Sequence, residues 1–152
     1  SQSGKQVFSE NYLLLKDRDY LIVTEKNKID NQNIFKIEKE VLEVKNPLKL
    51  AISKVDYILN LSNTTIFVDE EKIVYPLIIR KWQEGDVFYP SGMKGKKKVS
   101  KYFKDEKFSL LDKQNQWLLC SNDEIIWIIN HRADERFLAN DKTKNILKLE
   151  IK

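Results

Sequence analysis

Residues 80–107, RKWQEGDVFYPSGMKGKKKVSKYFKDEK, hold the side chains in this sequence best suited to one particular chemistry, the holding of phosphates. The stretch has nine of the 27 Lys+Arg and four of the 23 Asp+Glu, a net of +5, while the other residues carry 18 basic and 19 acidic groups, a net of −1. The whole formal charge of +4 is therefore local. Three of the four glycines, Gly85, Gly92 and Gly95, fall in the same stretch. Glycine serves where a backbone must turn sharply or approach a ligand closely. A tight basic loop on an otherwise neutral chain fits phosphate groups. Lysine is a strongly hydrated point charge, suited to phosphate oxygens rather than to bidentate reading of bases. The competing reading is a solvated lysine face kept for solubility. Against it stand the glycines, the interleaved Tyr89, Tyr102 and Phe103, and the lack of a compensating acid until Asp105.

Other chemistries find little to work with. His131 is the only histidine and Cys120 the only cysteine, eleven positions apart. Cys120 lies in an apolar run and reads as a small buried residue. His131 neighbours Arg132, which would depress its protonation, and reads as a solvated or RNA-facing side chain rather than a general base. One Cys and one His exclude an internal disulfide and a Cys- or His-based zinc site, and the sparing use of cysteine fits the cytoplasm. No catalytic residue and no metal ligand is assigned. Gly95-Lys96 invites comparison with the nucleotide loop G-x-x-x-x-G-K-[ST], but Pro90 and Lys97 occupy two of its four fixed positions. Gly92-Met-Lys-Gly95 matches the G-x-x-G of KH domains, yet that loop joins two helices and Val87–Pro90 is not helical. Trp117 and Trp127 lie among Leu and Ile and read as core. Trp82, beside the basic loop, is left open as a base-stacking residue.

The elements that must position this loop read as mostly β. Tyr12–Leu15 and Tyr20–Thr24, split by the polar turn Lys16–Asp19, form a hairpin. Asn33–Val44 alternates imperfectly as a strand. Leu48–Ile52, Thr64–Val68 and Pro76–Arg80 are further strands, the last opening on a proline, where a missing N–H is tolerated. Gly85–Gly95 is irregular. Lys97–Glu106 is the one prominent helix: Val99, Tyr102 and Phe103 make an apolar stripe, and Lys97, Lys101 and Lys104 a basic face. Trp117–Cys120 and Ile125–Ile129 form a second hairpin across Ser121–Glu124, and Ile146–Ile151 alternates as an edge strand would. The expectation is an α+β fold dominated by antiparallel strands. A boundary is expected near Asp69–Lys72, giving a β-rich lobe at 1–72 and a second region at 73–152, or one compact unit of both. No apolar run approaches the ~20 residues of a membrane helix. The opening SQSGKQVFSENYLLL lacks an initiator Met and a signal peptide, so a fragment of a longer protein is expected.

Pro76-Leu-Ile-Ile-Arg80, Glu84-Gly-Asp86 and Tyr89-Pro-Ser-Gly-Met-Lys-Gly-Lys-Lys-Lys-Val99, followed by a helix, an apolar hairpin and Arg132-Ala-Asp-Glu-Arg-Phe137, form an ordered pattern over about 60 residues. It resembles the C-terminal domain of bacterial tRNA(Ile)-lysidine synthetase, and the N-terminal half looks like the segment preceding that domain. The sequence departs from the family pattern at Ser109, where proline is usual, at Asp112–Asn115, which carries less charge, and at Asn130, where glycine is usual. The family's Ser-Gly-Gly-x-Asp-Ser type loop is not found among these residues.

The resemblance implies a parent ligase that couples lysine to the wobble cytidine of tRNA(Ile) with the CAU anticodon, using ATP with Mg. The catalytic domain would be supplied in cis, and this chain alone would be non-catalytic. The implied role here is docking of the tRNA acceptor stem and body. The residues expected to bind tRNA are Arg80, Lys94, Gly95, Lys96, Lys97, Lys98, Lys101, Lys104, Arg132 and Arg136. Arg80 and Arg132 read equally as phosphate forks or as braces paired with Asp86 or Asp134. The alternative from another class is a non-catalytic basic module that binds an acidic protein or another RNA.

Overall fold

A computed structural model describes residues 34–59 and 61–152. The expected hairpin at Tyr12–Thr24 lies outside the described residues. The chain divides into two units, Ser1–Phe35 and Lys36–Lys152, and nearly all described residues belong to the second. Eleven strands are described: β1 (Ile34–Ile37), β2 (Glu43–Val44), β3 (Leu50–Val55), β4 (Thr65–Asp69), β5 (Leu77–Lys81), β6 (Val87–Phe88), β7 (Lys97–Lys98), β8 (Trp117–Ser121), β9 (Glu124–Ile128), β10 (Arg132–Ala133) and β11 (Ile146–Ile151). Two short α-helices, α1 (Val99–Asp105) and α2 (Leu110–Gln114), separate β7 from β8. The fold is α+β and mainly antiparallel.

The strands make a five-stranded sheet in the order β1-β5-β8-β9-β10, a four-stranded sheet β2-β3-β11-β4, and a small β6-β7 ladder. β4 is Thr-Ile-Phe-Val-Asp, β-branched and aromatic, and its first four residues are all buried, as a strand covered on both faces requires. On β5, Leu77 and Ile79 are fully buried on one face, while Ile78 and Arg80 point to the other. That second face receives α1. Phe88, Val99, Tyr102, Phe103, Leu118, Cys120, Ile125 and Ile128 form one core cluster, with Ile78, Trp82 and Phe108 packed against it. Cys120 is fully buried there, and burial pushes its thiol up to about 11, so it stays a neutral apolar filler. Trp82 meets Phe103 edge to face at 5.4 Å, which uses one edge of its ring in packing.

Two expectations about the elements are corrected. Lys97 and Lys98 belong to β7, paired with Phe88 and Val87, so the helix starts at Val99 rather than Lys97. The Val99 N–H, free to continue a helix backward, is instead taken by the Asp86 carbonyl at 2.9 Å. The strand Ile146–Ile151 is central rather than an edge: β11 pairs with β3 on one side and β4 on the other. Its alternating polar residues, Lys148 and Glu150, pair with each other at 3.5 Å, which let a central strand carry an edge-like pattern. The boundary expected near residue 72 runs through this sheet, because β3 and β4 lie before it and β11 after it.

Helix ends follow from local chemistry. α1 closes with Lys107 in the left-handed region (φ 62), its N–H donating to the Lys104 carbonyl at 3.1 Å, and Phe108 N–H donating to the Phe103 carbonyl at 2.9 Å. This is a Schellman closure with lysine where glycine is usual. Its hydrophobic partner is present: the Phe103 and Phe108 rings stack at 4.6 Å. Ser109 then caps α2, accepting from Asp112 N–H at 3.0 Å while the Asp112 carboxylate accepts from Ser109 N–H at 2.9 Å. The Ser109 backbone N–H, with the Ser109 hydroxyl beside it, holds the Asp112 carboxyl below its ordinary pKa.

The central position of β11 predicts the cost of hollowing it. Leu149 is fully buried opposite Ile52 and Ile66. Leu149→Ala should therefore cost about 2 to 5 kcal/mol in urea unfolding, and Lys148→Ala on the same strand should change stability by less than about 0.5 kcal/mol. A Leu149→Ala loss as small as that of Lys148→Ala would contradict the central placement.

Candidate functional site

The expected site residues lie on one loop, on the helix α1 that follows it and on the segment that holds it. The loop runs from the end of β5 through β6 to α1. At its start Arg80 makes a bidentate pair with Asp86, Nη1 to Oδ2 at 2.9 Å and Nη2 to Oδ1 at 3.0 Å, and Asp86 also accepts from Gln83 N–H at 2.7 Å. Both side chains are mostly buried, so Arg80 is engaged inside the protein. Phe88, with no exposed surface, anchors β6 in the core.

Beyond β6 the loop is stitched to residues 132–136. Tyr89 N–H donates to Asp134 Oδ2 at 2.8 Å, Glu135 N–H to the Tyr89 carbonyl at 2.7 Å, and Ser91 N–H to the Ala133 carbonyl at 2.9 Å. Arg132 Nη1 donates to the Ser91 carbonyl at 2.8 Å. Met93 N–H closes a turn on the Pro90 carbonyl at 3.1 Å, with Gly92 at the third position, where φ must be positive; its φ is 78. The Gly92 N–H donates to Glu135 Oε1 at 3.2 Å. A carboxylate thus already holds the amide that the sequence offers for close approach to a phosphate.

Asp134 is the fully buried carboxylate of this segment. Besides Tyr89 it accepts from Arg136 N–H at 2.8 Å, Nε at 3.0 Å and Nη2 at 3.0 Å. Arg136 also pairs with Glu124 at 2.8 Å and lies over the Tyr89 ring at 4.3 Å. The pairing partner of Asp134 is therefore Arg136, whereas Arg132 clamps the loop backbone.

The lysines separate into two groups. Lys97 and Lys101 converge on the Asp105 carboxylate at 2.6 and 3.0 Å, and these bonds hold that exposed carboxyl below its ordinary pKa. Lys97 thus joins the basic face expected of the helix although it stands on β7. Lys94, Lys96, Lys98 and Lys104 are exposed and form no ion pair with the described residues. Residues 94–98 with Pro90, Met93, Lys101 and Asp105 line an open cleft of about 440 Å³. Gly95, in this cleft, has φ 79 and open space where a Cβ would stand.

Lys81, at the end of β5, is tied into the structure instead. Lys81 donates its ammonium to the Gln114 carbonyl at the end of α2 and lies 4.2 Å from the centre of the Trp117 ring; burial lowers its pKa. His131 lies against the Phe108 ring at 4.8 Å and is held below its ordinary pKa by burial, against the opposing pull of Glu106 and Asp112. Among the described residues no group of three or more His, Cys, Asp or Glu could hold a metal ion, and no helix is long and apolar enough to cross a membrane.

Residues 77–151 match the family described as TilS substrate C-terminal domain, and residues 1–26 match the TilS substrate binding domain. Residues 77–151 belong to the TilS C-terminal domain family. It is 39% identical over 150 residues to tRNA(Ile)-lysidine synthase of Parabacteroides distasonis, covering 96% of this chain and 34% of that protein. It is 34% identical over 151 residues to the enzyme of the same name from Bacteroides thetaiotaomicron, covering 99% of this chain and 33% of that protein. The chain thus spans about a third of the length of these relatives. A crystal structure of a TILS C-terminal domain has the same fold, with a TM-score of 0.63 at 19% identity, covering 78% of this chain and 97% of that one. The departures from the TilS pattern now have physical reasons. Ser109 and Asp112 form the capping box of α2, and Asn130 takes the left-handed conformation (φ 69) that glycine would otherwise provide. The S-x-x-D spacing at Ser109–Asp112 was the available signal for α2, which the apolar pattern alone does not reveal.

The geometry predicts different outcomes for the arginines and the free lysines. Arg80→Ala strands the Asp86 carboxylate and should cost about 3 kcal/mol, the low end for breaking a buried pair. Lys96→Ala should leave thermal unfolding unchanged. Calorimetry of both variants checks this, and an Arg80→Ala protein as stable as the parent would show that Arg80 is not a brace.

Proposed function

We propose that this region docks the phosphate backbone of tRNA for a parent tRNA(Ile)-lysidine synthase. The observation that carries the reading is the set of exposed lysines Lys94, Lys96, Lys98 and Lys104, without an ion pair among the described residues, on and beside a loop braced by the Arg80–Asp86 pair and by the buried Asp134 carboxylate. Fixed placement matters because each long side chain held toward a phosphate loses rotamer entropy, and a rigid backbone limits the remaining cost to the side chains. In this reading Lys97 and Lys101, held on Asp105, supply further positive charge. Arg80, Arg132 and Arg136 act by shaping the loop, and Gly95 lets the backbone turn through the cleft without a side chain. A-form RNA is recognised mostly through shape and phosphate contacts, which suits lysine on a glycine-containing loop.

The relatives' name supports tRNA(Ile) as the substrate of the parent enzyme, and the CAU anticodon, ATP with Mg and a catalytic domain in cis follow as parts of the same proposal. The parent is proposed to act in the cytoplasm. The nucleotide-loop pattern of that enzyme is not found in these 152 residues, so no chemical step of ligation is assigned to them.

The test is a salt titration of tRNA binding by gel shift or fluorescence anisotropy. The logarithm of affinity should fall linearly with the logarithm of salt concentration, by about 0.7 to 0.9 per phosphate neutralised. Replacing Lys94, Lys96, Lys98 and Lys104 with alanine should flatten that slope by about 3. Asp105→Ala, which releases Lys97 and Lys101, should tighten binding at low salt and steepen the slope. An affinity flat in salt, or the same for tRNA and any acidic polymer, would overturn the proposal.

A further inference from the structure

The lysine cleft contains one side chain that phosphates cannot use. Met93, the only methionine of the chain, lines the cleft and is 48% exposed. The residues beside it are open as well, so that Gly92, Met93, Lys94, Gly95 and Lys96 form an unbroken exposed run. Scattered apolar side chains are ordinary on a protein surface. Among the large exposed ones of the described residues, however, Met93 is the one that stands in the cleft.

Its mounting is what sets it apart. The Met93 N–H is tied to the Pro90 carbonyl, the Gly92 N–H to Glu135, the Ser91 N–H to the Ala133 carbonyl, and the Ser91 carbonyl to Arg132. Backbone bonds at each of these positions hold the turn in place, and the thioether stays in solvent until a ligand covers it. Little backbone freedom is then lost when that happens. The side chain itself is unbranched and polarisable, and adapts to an irregular surface. Lys94 follows directly, and consecutive Cα atoms are about 3.8 Å apart. A nucleic acid held on Lys94 is therefore within reach of Met93.

We propose that Met93 lies on the ribose surface of an RNA duplex, in its minor groove, while the neighbouring lysines hold the phosphates, and that this contact selects A-form RNA over B-form DNA. The inference rests on the phosphate-docking reading above. The minor groove of an A-form duplex is wide and shallow, and its sugars lie open to a protein surface. A turn tipped by a thioether can rest there and cover sugar carbons. The minor groove of B-form DNA is only about 6 Å wide, which keeps the same turn out. Lysines meet phosphates on both duplexes, so they alone give little preference between them. An apolar contact also displaces no counterion, so its contribution is the same at every salt concentration.

The experiment titrates the 152-residue chain with a blunt RNA hairpin and with the DNA hairpin of the same sequence, by fluorescence anisotropy at several salt concentrations. The RNA should bind more tightly. Met93→Ala should weaken RNA binding about 5-fold, by the same factor at each salt concentration, and change DNA binding less than about 2-fold. Met93→Leu, which conserves apolar volume, should restore most of the RNA affinity. Thermal unfolding of both variants should match the parent, because the side chain is exposed. Lys96→Ala serves as the contrast: it should weaken both duplexes and lower the salt slope by about 0.9. Equal affinity of the parent for RNA and DNA, with a normal salt slope, would overturn the Met93 inference and leave the phosphate reading standing. So would a Met93→Ala protein that binds RNA as the parent does, one that loses RNA and DNA alike, one with a lowered melting temperature, or a leucine variant that restores nothing. Binding of neither duplex, or binding flat in salt, would overturn both.

Discussion

The buried carboxylate of Asp134 is the interaction on which the basic loop depends. A carboxylate without solvent is costly unless every acceptor position is used. Here one oxygen takes the Tyr89 N–H and Arg136 Nη2, the other the Arg136 N–H and Nε. The same charge therefore fixes the end of β6 and the short 3-10 turn at Glu135–Phe137 relative to each other. Arg132, Ser91, Gly92 and Glu135 add bonds around that point, and the loop between β6 and β7 can be nearly free of regular structure without being loose. The motif Arg-x-Asp-x-Arg-Phe is, physically, the socket for a loop more than forty residues earlier in the chain.

Charge on this face is divided between fixed and available groups. Arginine's planar fork suits bidentate pairing, and Arg80 and Arg136 spend it on Asp86 and Asp134. Lysine's flexible stem suits a mobile anion, and the exposed cations of the loop are all lysine. Asp105 is intermediate. It holds Lys97 and Lys101 in one place while remaining at the surface, where a competing phosphate can take over either ammonium. In the proposed docking, such an exchange would replace one anion with another, so the gain per contact would be small.

Much of this was legible in the sequence because it depends on local pattern. β4, β5 and the β8–β9 hairpin carry β-branched and aromatic residues in the expected places, and Asn122 with positive φ turns the hairpin as its position predicts. The α1 stripe of Val99, Tyr102 and Phe103 is buried. What local pattern misses is set by distant partners. The helix start at Val99 is decided by the Asp86 carbonyl and the β6–β7 ladder, neither visible in the spacing of lysines. The brace role of Arg80 needed Asp86 at a bonding distance that only the folded loop provides. β11 alternates because its polar side chains pair within the strand, and alternation alone does not distinguish that from an edge.

The seat of β11 has a consequence for the order of assembly. Its two neighbours end at residues 55 and 69, and it begins at residue 146, so the four-stranded sheet closes only through contacts far apart in sequence. Such pairings require loop closure before they return any stabilisation, and they slow folding relative to local hairpins. The β8–β9 hairpin and the α1 cluster are built from nearby residues and can form early. β3 and β4, lacking the strand that lies between them, have no completed sheet until β11 arrives. The sheet is a gap waiting for its middle strand, and during that interval the β-branched edge of β4 is exposed to any other chain with a free strand.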